Sequence, residues 1–518
     1  MGSAIIRHLM TESTLGGDRG PAPSWRALAC LAFGVGLLPT PAVAQAPEPV
    51  DSPKVLELTT YTTHPQVGPE SDAIDIDHAK DGSGRLFVGT NEGKIFAFDP
   101  SGGLLGIFHD LAAPGVTPDF DPTLRFVTRG LSYYAFHPDY GRAGAPGEGK
   151  LYTLYRSTIP GAREPDYSGT VLPTKPGKVI GRFAVAEWTV DPDDPSRIDP
   201  TSYRDIIRFE ISGPNQDNHS MGHIAFNPFV APGDPDYGLL YIPLGDTWSG
   251  GGLWDWQHVQ DSDNPFGKIL RIDPLQHGDD RYAIPPDNPF ADGGPLLDDD
   301  GNAEEIAAVG FRYPENLTFA REPDGTSRLL VFDIGADDYE ELNLVDVGDN
   351  HGWPTIDGPV DVDRSPERTS SLNPSPALTV EYPAAIYDHD FQYYPGSGSY
   401  RRAAIVGGFV ASDPNDPDFQ DQLVFADLPS GAFFHVDFEE LLAADANDTQ
   451  ATLHVMYASI DGSEPDLFTR IIHGDDYVPE GRGASRGDQR FGVDERGRVF
   501  VTVRSSNTIY LTNLIAAQ

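Results

Sequence analysis

Hydrophobic and polar positions alternate along this chain in short bursts, and each burst is closed by a turn. The recurring unit is a Gly or charged turn, then a Leu/Val-aromatic strand, then often a second strand ending in Asp. It appears at Gly84-Arg85-Leu86-Phe87-Val88, followed by Lys94-Ile95-Phe96-Ala97-Phe98-Asp99. Further copies lie at Lys150-Leu151-Tyr152-Thr153-Leu154, Leu240-Tyr241, Arg328-Leu329-Leu330-Val331-Phe332-Asp333, Gln422-Leu423-Val424-Phe425-Ala426-Asp427 and Arg498-Val499-Phe500-Val501-Thr502. With Leu86, Leu151, Leu240, Leu329, Leu423 and Val499 as markers, the spacings are 65, 89, 89, 94 and 76 residues. Six such copies predict an all-β fold, a six-bladed β-propeller spanning residues 71–518. The units exceed a minimal four-stranded blade, so long acidic loops are expected to project from one face. A pair of β-sandwiches, which needs denser and more regular strands, ranks second.

Between the strands lie acidic, Pro-rich stretches such as Asp191-Pro192-Asp193-Asp194-Pro195, Asp287 to Gly294 and Asp413-Pro414-Asn415-Asp416-Pro417-Asp418. Asx side chains cap turns and Pro presets φ, so these read as turn chemistry. None has the D-x-D-x-D-G spacing of a calcium loop. Glu439 to Ala446 is the one stretch that predicts a short helix. With 55 Gly and 47 Pro in 518 residues, helices are otherwise interrupted.

A formal net charge of −43 changes the picture of partners. Such a surface repels phosphate backbones, which argues against nucleic acid. It leaves many carboxylates for Ca²⁺, or simply suits a salty or extracellular habitat. Near the start, Arg26 precedes the apolar run Ala27 to Leu38, and Pro41-Ala42-Val43-Ala44 offers an A-x-A cleavage site. Residues 1–44 are therefore expected to be an export signal rather than a membrane span, giving a periplasmic or secreted protein. Cys30, the only cysteine, lies inside that signal, so no disulfide or thiolate chemistry is expected in the mature chain. Residues 45–70 read as a Pro-rich leader into the fold.

The chemistry concentrates between Asn215 and Pro274. There Asn218-His219-Ser220-Met221-Gly222-His223-Ile224-Ala225-Phe226 places two histidines and a glycine ahead of an apolar run. A histidine at the mouth of two tightly turned strands can serve as a base; it can equally do no more than bond a loop carbonyl. No dinucleotide glycine fingerprint, phosphate loop, zinc spacing or Ser/His/Asp order is present.

Several ordered segments resemble the glucose/sorbosone dehydrogenase family, the soluble quinoprotein sugar dehydrogenases. They are Arg129 to Tyr140, Asn218 to Phe226, Leu244-Gly245-Asp246, Gly267 to Ile272, Tyr282 to Phe290, Gly310-Phe311-Arg312-Tyr313-Pro314-Glu315, Asp333-Ile334-Gly335, Tyr339 to Leu344 and Asn350-His351-Gly352-Trp353-Pro354. The resemblance implies pyrroloquinoline quinone and Ca²⁺ as cofactors, a sugar or alcohol as substrate and a separate electron acceptor. His219 matches the family's base, with Gly222 in step, and an imidazole suits that task near neutral pH. Arg312 matches the arginine that contacts the quinone, and Arg129 is a further cofactor-binding candidate. Gly335 and Ala336 match the carbonyl pair that binds the Ca²⁺ on the quinone. Glu341 and the carbonyl of His351 match a second, structural calcium site.

The chain also departs from the family pattern. Tyr313 replaces the asparagine after the arginine, and His223 stands where arginine or glutamine is usual. Ile405 to Val410 and Phe425 to Phe434 carry no basic residue where the family holds the cofactor's carboxylates; Arg129, Arg401, Arg402, Arg486 and Arg490 are the possible substitutes. Two other functions therefore stay open: a non-catalytic propeller binding a glycan or protein, as in the family's hedgehog-binding member, and a metal-dependent lactonase. Trp248, Trp254 and Trp256 and the group Tyr387-Asp388-His389-Asp390 are candidates for the rim of the same face, and His137 is expected to be structural.

Overall fold

The computed structural model describes residues 48–66, 72–122, 130–170, 178–213, 219–247, 257–292, 294, 302–336, 338–361, 380–388, 403–478, 485–503 and 506–516. Those residues are nearly all β. The α-helices among them are Phe438–Asp445, where a helix is expected from the sequence, and Phe468–His473. The Asp437 carboxylate accepts from the Glu439 and Glu440 amides and caps the first helix.

All six marker residues fall in strands: Leu86–Thr90, Lys150–Ser157, Leu240–Leu244, Ser327–Asp333, Gln422–Asp427 and Val499–Val503. Each of these is the second strand of an antiparallel run. The first strands are Ala73–Asp77, Leu131–Phe136, Ala225–Phe226, Pro314–Arg321, Ile405–Val410 and Gln489–Val493. Leu131–Phe136, Leu240–Leu244 and Leu86–Thr90 are buried along their whole length. Continuous apolar runs of this kind fit strands covered on both faces. The large core clusters accordingly join neighbouring runs. One packs Tyr152 and Phe209 against Ile242 and Leu270, and another packs Leu330 and Phe332 against Phe425 and Phe434.

The first strands also touch one another in a closed series. Ala73–Asp77 meets Leu131–Phe136, which meets Ala225–Phe226. Pro314–Arg321 contacts Leu240–Leu244 on one side and Ile405–Val410 on the other. Ile405–Val410 meets Gln489–Val493, and that strand returns to Ala73–Asp77 through the parallel bridge Ile76–Gly492.

The stretch 45–70, expected as a leader, contains a strand. Val50–Thr63 is a 14-residue strand. It runs antiparallel to Thr508–Ala516 along one edge and parallel to His454–Ile460 along the other. It thereby links runs into a single twelve-stranded sheet. The cause is visible in Val55, Leu56 and Leu58, which are buried, while Thr59 and Thr60 turn outward. Proline at Pro53 sits near the start of the strand, where a missing N–H is tolerated.

This seam should carry much of the stability. Leu56 and Leu58 are both fully buried, packed with residues such as Val501 and Met456. Leu58→Ala is expected to lower the unfolding free energy by about 2–5 kcal/mol in urea titration. The exposed neighbour change Thr59→Ala should stay within about 0.5 kcal/mol.

Candidate functional site

Two strand entries and one strand exit build the site. His219 enters ahead of Ala225–Phe226, Arg312 enters ahead of Pro314–Arg321, and Asp246 follows the end of Leu240–Leu244. His219 has φ of 50°, the left-handed region that non-glycine residues seldom occupy. The loop is fixed there by neighbours: the Thr247 amide donates to the His219 carbonyl at 3.1 Å and the Gly245 amide donates to the Ser220 carbonyl at 3.1 Å. Gly245 has to be glycine, because a Cβ on it would sit 2.4 Å from the His219 carbonyl oxygen.

The His219 ring is held on two sides. Its Nδ1 donates to Asp246 Oδ1 at 2.9 Å. Its face stacks on Tyr313, with centroids 5.0 Å apart and planes 10° from parallel. Asp246 is itself buried, and its second oxygen accepts from Trp353 Nε1 at 3.1 Å. The Asp246 amide donates to the Arg312 carbonyl at 2.7 Å, so acid and arginine are tied through the backbone as well. Burial and, next, the Arg312 charge lower the pKa of His219; Asp246 offsets part of that. A neutral imidazole whose Nδ1–H is given to a carboxylate carries its lone pair on Nε2, the protonation state of a base.

Arg312 lies against carbonyls rather than carboxylates. Its Nη1 donates to Ile334 O at 2.7 Å and to Gly335 O, and its guanidinium lies 5.8 Å from the Trp353 ring centroid. Below it, Asp333 accepts the Arg312 amide at 2.9 Å and the Tyr313 amide at 2.6 Å. Burial pushes the Asp333 carboxyl up to about 7 against those bonds. Gly335 approaches the chain so closely that a Cβ would lie 1.5 Å from Tyr339 O and 3.1 Å from Asp357 Oδ1.

Of the other expected residues, Ala336 packs beside Trp353 and Val259. Glu341 is buried and accepts from the Gly358 amide at 2.6 Å and Asn343 Nδ2 at 3.1 Å. Burial first, then Asp333 and Asp357, push its pKa well up. His351 is buried against Phe311, centroids 4.7 Å apart. Among the described residues, no group of three or more His, Cys, Asp or Glu side chains is arranged around a metal position. The acidic loops cap their own turns: Asp191 accepts the Asp193 amide and Asp413 the Asn415 amide.

Arg129, Arg401, Arg402, Trp248, Trp254, Trp256, His389 and Asp390 lie outside the described residues. Tyr387 is no rim residue; it is fully buried, stacks on Phe434 and donates to Asp427. His137 accepts the Asp139 amide within its turn at 3.0 Å, as a structural histidine does. Arg486 bonds Asp488, and Arg490 is buried 3.6 Å from Glu315, whose Oε1 also accepts from Tyr133. Sequence reasoning missed the roles of Asp246 and Trp353, although both sit in segments that carry the resemblance.

A closed series of sheets with a histidine–aspartate pair and an arginine gathered at strand entries defines a β-propeller with a polar site on one face. The family model described as Glucose / Sorbosone dehydrogenase matches residues 127–436, and the chain belongs to that family. It is 27% identical to the HIPL1 protein of Arabidopsis thaliana over 379 residues, 67% of this chain and 50% of that protein. It is 28% identical to the Hedgehog-interacting protein of Mus musculus over 251 residues, 48% of this chain and 30% of that one. The chain spans about half the length of the HIPL relatives it matches. In fold it is similar to the PQQ-bound form of aldose sugar dehydrogenase from Streptomyces coelicolor, with a TM-score of 0.50 at 18% identity, covering 90% of this chain and all of that one.

The His219–Asp246 pair makes one prediction independent of turnover. In Asp246→Asn the anion that raises the imidazole pKa is gone. NMR titration should show the His219 pKa falling below its value in the unchanged protein. No shift, or a rise, would mean that the two side chains are not paired in solution.

Proposed function

We propose that the chain is an exported six-bladed propeller, with long acidic loops on one face, that oxidises a sugar or related alcohol with a bound quinone. The observation that carries this is the neutral, carboxylate-oriented His219 beside Arg312. Residues 1–44 would be the export signal, and Val50–Thr63 joins residues 71–518 in one domain. The protein would act in the periplasm or outside the cell and pass electrons to a separate acceptor. No helix among the described residues is long and apolar enough to cross a membrane.

In this scheme the substrate hydroxyl gives its proton to His219 Nε2 as the C–H bond releases a hydride, leaving a carbonyl. Asp246 orients the ring and stabilises the imidazolium that forms. Pyrroloquinoline quinone, when bound, supplies the two-electron acceptor for that hydride. Arg312 would hold its oxygens and stabilise negative charge there.

The residues fit such a group in part. Glu341 feels the charges of the buried carboxylates Asp333 and Asp357, and Asp357 approaches Gly335; such oxygens are what Ca²⁺ prefers, though among the described residues no three of these side chains surround one position. The Arg312 guanidinium donates to the Gly335 carbonyl. Gly335 and Ala336 would carry the calcium of the quinone, with Glu341 and the His351 carbonyl at a structural one. Toward the cofactor's carboxylates the fit is poorer, since Arg490 faces Glu315 and Arg486 faces Asp488. That poverty, with the similarity to a Hedgehog-interacting protein, supports a second possibility: a propeller that binds a glycan or protein and catalyses nothing.

Titration of the purified protein with pyrroloquinoline quinone and excess Ca²⁺ separates the two. An absorbance change and binding heat, followed by dye reduction with a sugar, is the expected result; neither signal would leave the binding module. For the enzyme, His219→Gln should keep quinone binding and lower turnover by roughly 10²–10⁴-fold. Arg312→Ala should weaken both. Because burial and Arg312 lower the His219 pKa from its ordinary 6.5, the acid-side fall of kcat/KM should be centred below pH 6.5.

Calcium has its own test. A ligand that binds only the native state raises the melting temperature. Chelation should therefore lower Tm, and Ca²⁺ should restore it. An unchanged Tm, with no calcium in the purified protein, removes both metal sites.

A further inference from the structure

Trp353 serves the candidate site in two ways. Its Nε1 donates to Asp246 Oδ2 at 3.1 Å, and its ring centroid lies 5.8 Å from the Arg312 guanidinium. What fixes the indole comes from a loop outside the strand entries that carry His219 and Arg312.

Residues 258–268 supply the grip. Gln260 Nε2 donates to Trp353 O at 2.7 Å and to Asn350 Oδ1 at 3.0 Å. Asn350 Nδ2 donates back to Gln260 Oε1 at 2.8 Å. Both side chains are buried, where an unmet donor or acceptor is costly, so the reciprocal pair is strongly favoured. Asn350 Oδ1 also accepts the Gly352 amide at 2.9 Å, and Val259 packs with Trp353.

The loop is pinned at its other end as well. Lys268 is fully buried, and its Nζ donates to His258 O at 3.0 Å and to Phe266 O at 2.9 Å. Asn264 Nδ2 donates to the same His258 carbonyl at 2.9 Å. His258 Nε2 in turn donates to the Asp246 carbonyl at 3.1 Å. One short loop therefore holds the Asp246 backbone through His258, and a partner of its carboxylate through Gln260.

An apolar side chain of the same size as Gln260 would fill the space and pack against Trp353. What the amide adds is direction, because it ties the Trp353 backbone and so sets where the indole N–H points. That N–H brings the positive end of a dipole onto Asp246 and offsets part of the negative charge that acts on His219. We propose that Gln260 is a positioning residue of the candidate site. With Asn350 it keeps the Trp353 indole on Asp246, and so limits how strongly that carboxylate favours a proton on His219. The inference rests on reading His219 as the base, but its readouts need no quinone.

NMR of the full protein is the test. Gln260→Met keeps the volume and removes the amide. Trp353→Phe removes the indole donor and keeps an aromatic face toward Arg312, which with Asp246 and Tyr313 surrounds His219. The Trp353 indole N–H resonance, assigned by its loss in Trp353→Phe, should move upfield in Gln260→Met as its bond to Asp246 weakens. The His219 pKa should rise in both variants by roughly half to one pH unit, the worth of one hydrogen bond. The double variant should rise no further than Trp353→Phe alone, since both changes remove the same contact. Gln260→Asn, whose amide is one methylene too short, replaces Gln260→Met if that variant does not fold, and should shift both signals the same way. A residue that only fills space would lower the melting temperature when changed and leave both signals in place. Unmoved signals in a folded Gln260 variant, a fall in the His219 pKa, or additive shifts in the double variant would overturn the proposal. If quinone titration fails while these shifts appear, the enzyme reading falls and the positioning role stands; shifts absent from an active enzyme give the reverse.

Discussion

A single buried carboxylate, Asp246, holds the candidate site in one piece. A carboxylate taken out of water is tolerated when its oxygens are met by donors. Here His219 meets one oxygen, Trp353 meets the other, and the backbone amide of the same residue reaches Arg312. His219 and Trp353 therefore share one anion, and the segment of Arg312 is tied to the backbone of the same residue. If His219 or Trp353 moves, a buried charge loses a partner. Asp333 repeats the device one step along, clamping the amides of Arg312 and Tyr313. Base, arginine and the ring stacked on the base are thus positioned by two acids at strand ends.

This explains what the sequence could and could not reveal. The repeating strands were legible because burial on both faces demands unbroken apolar runs, and Leu86, Leu240 and Leu423 stand in just such runs. His219 stood out in the sequence through Gly222 in the same motif. The partnership of Asp246 with Trp353 did not, because the contact spans 107 residues and no local pattern encodes it. Val50–Thr63 was misread because Pro53 and its polar residues resemble a linker, while its partners, Thr508–Ala516 and His454–Ile460, lie at the far side of the sequence. Tyr387 looked like a rim group among acids, yet its ring is what fills the core beside Phe434.

The departures at the site are physical as well as textual. Tyr313 is a flat ring where the family has an asparagine, and it lies parallel to the base. One face of the His219 ring is therefore covered. The missing late basic residues point the same way: positive charge at this face among the described residues is concentrated in Arg312, while Arg490 is committed to Glu315.

The seam made by Val50–Thr63 has a consequence for how the chain acquires its form. Contacts such as Asn507 to His64 join residues 443 positions apart. Bringing such ends together costs about 5 kcal/mol of chain entropy beyond a constant, before any contact compensates it. During vectorial synthesis the early strand emerges long before its antiparallel partner, so the ring stays open while most of it already exists. Closure then becomes a late and slow event, as expected where distant pairings dominate. The same zipper works in reverse: an already closed ring must break its seam before any sheet can peel away, which delays unraveling and attack by proteases.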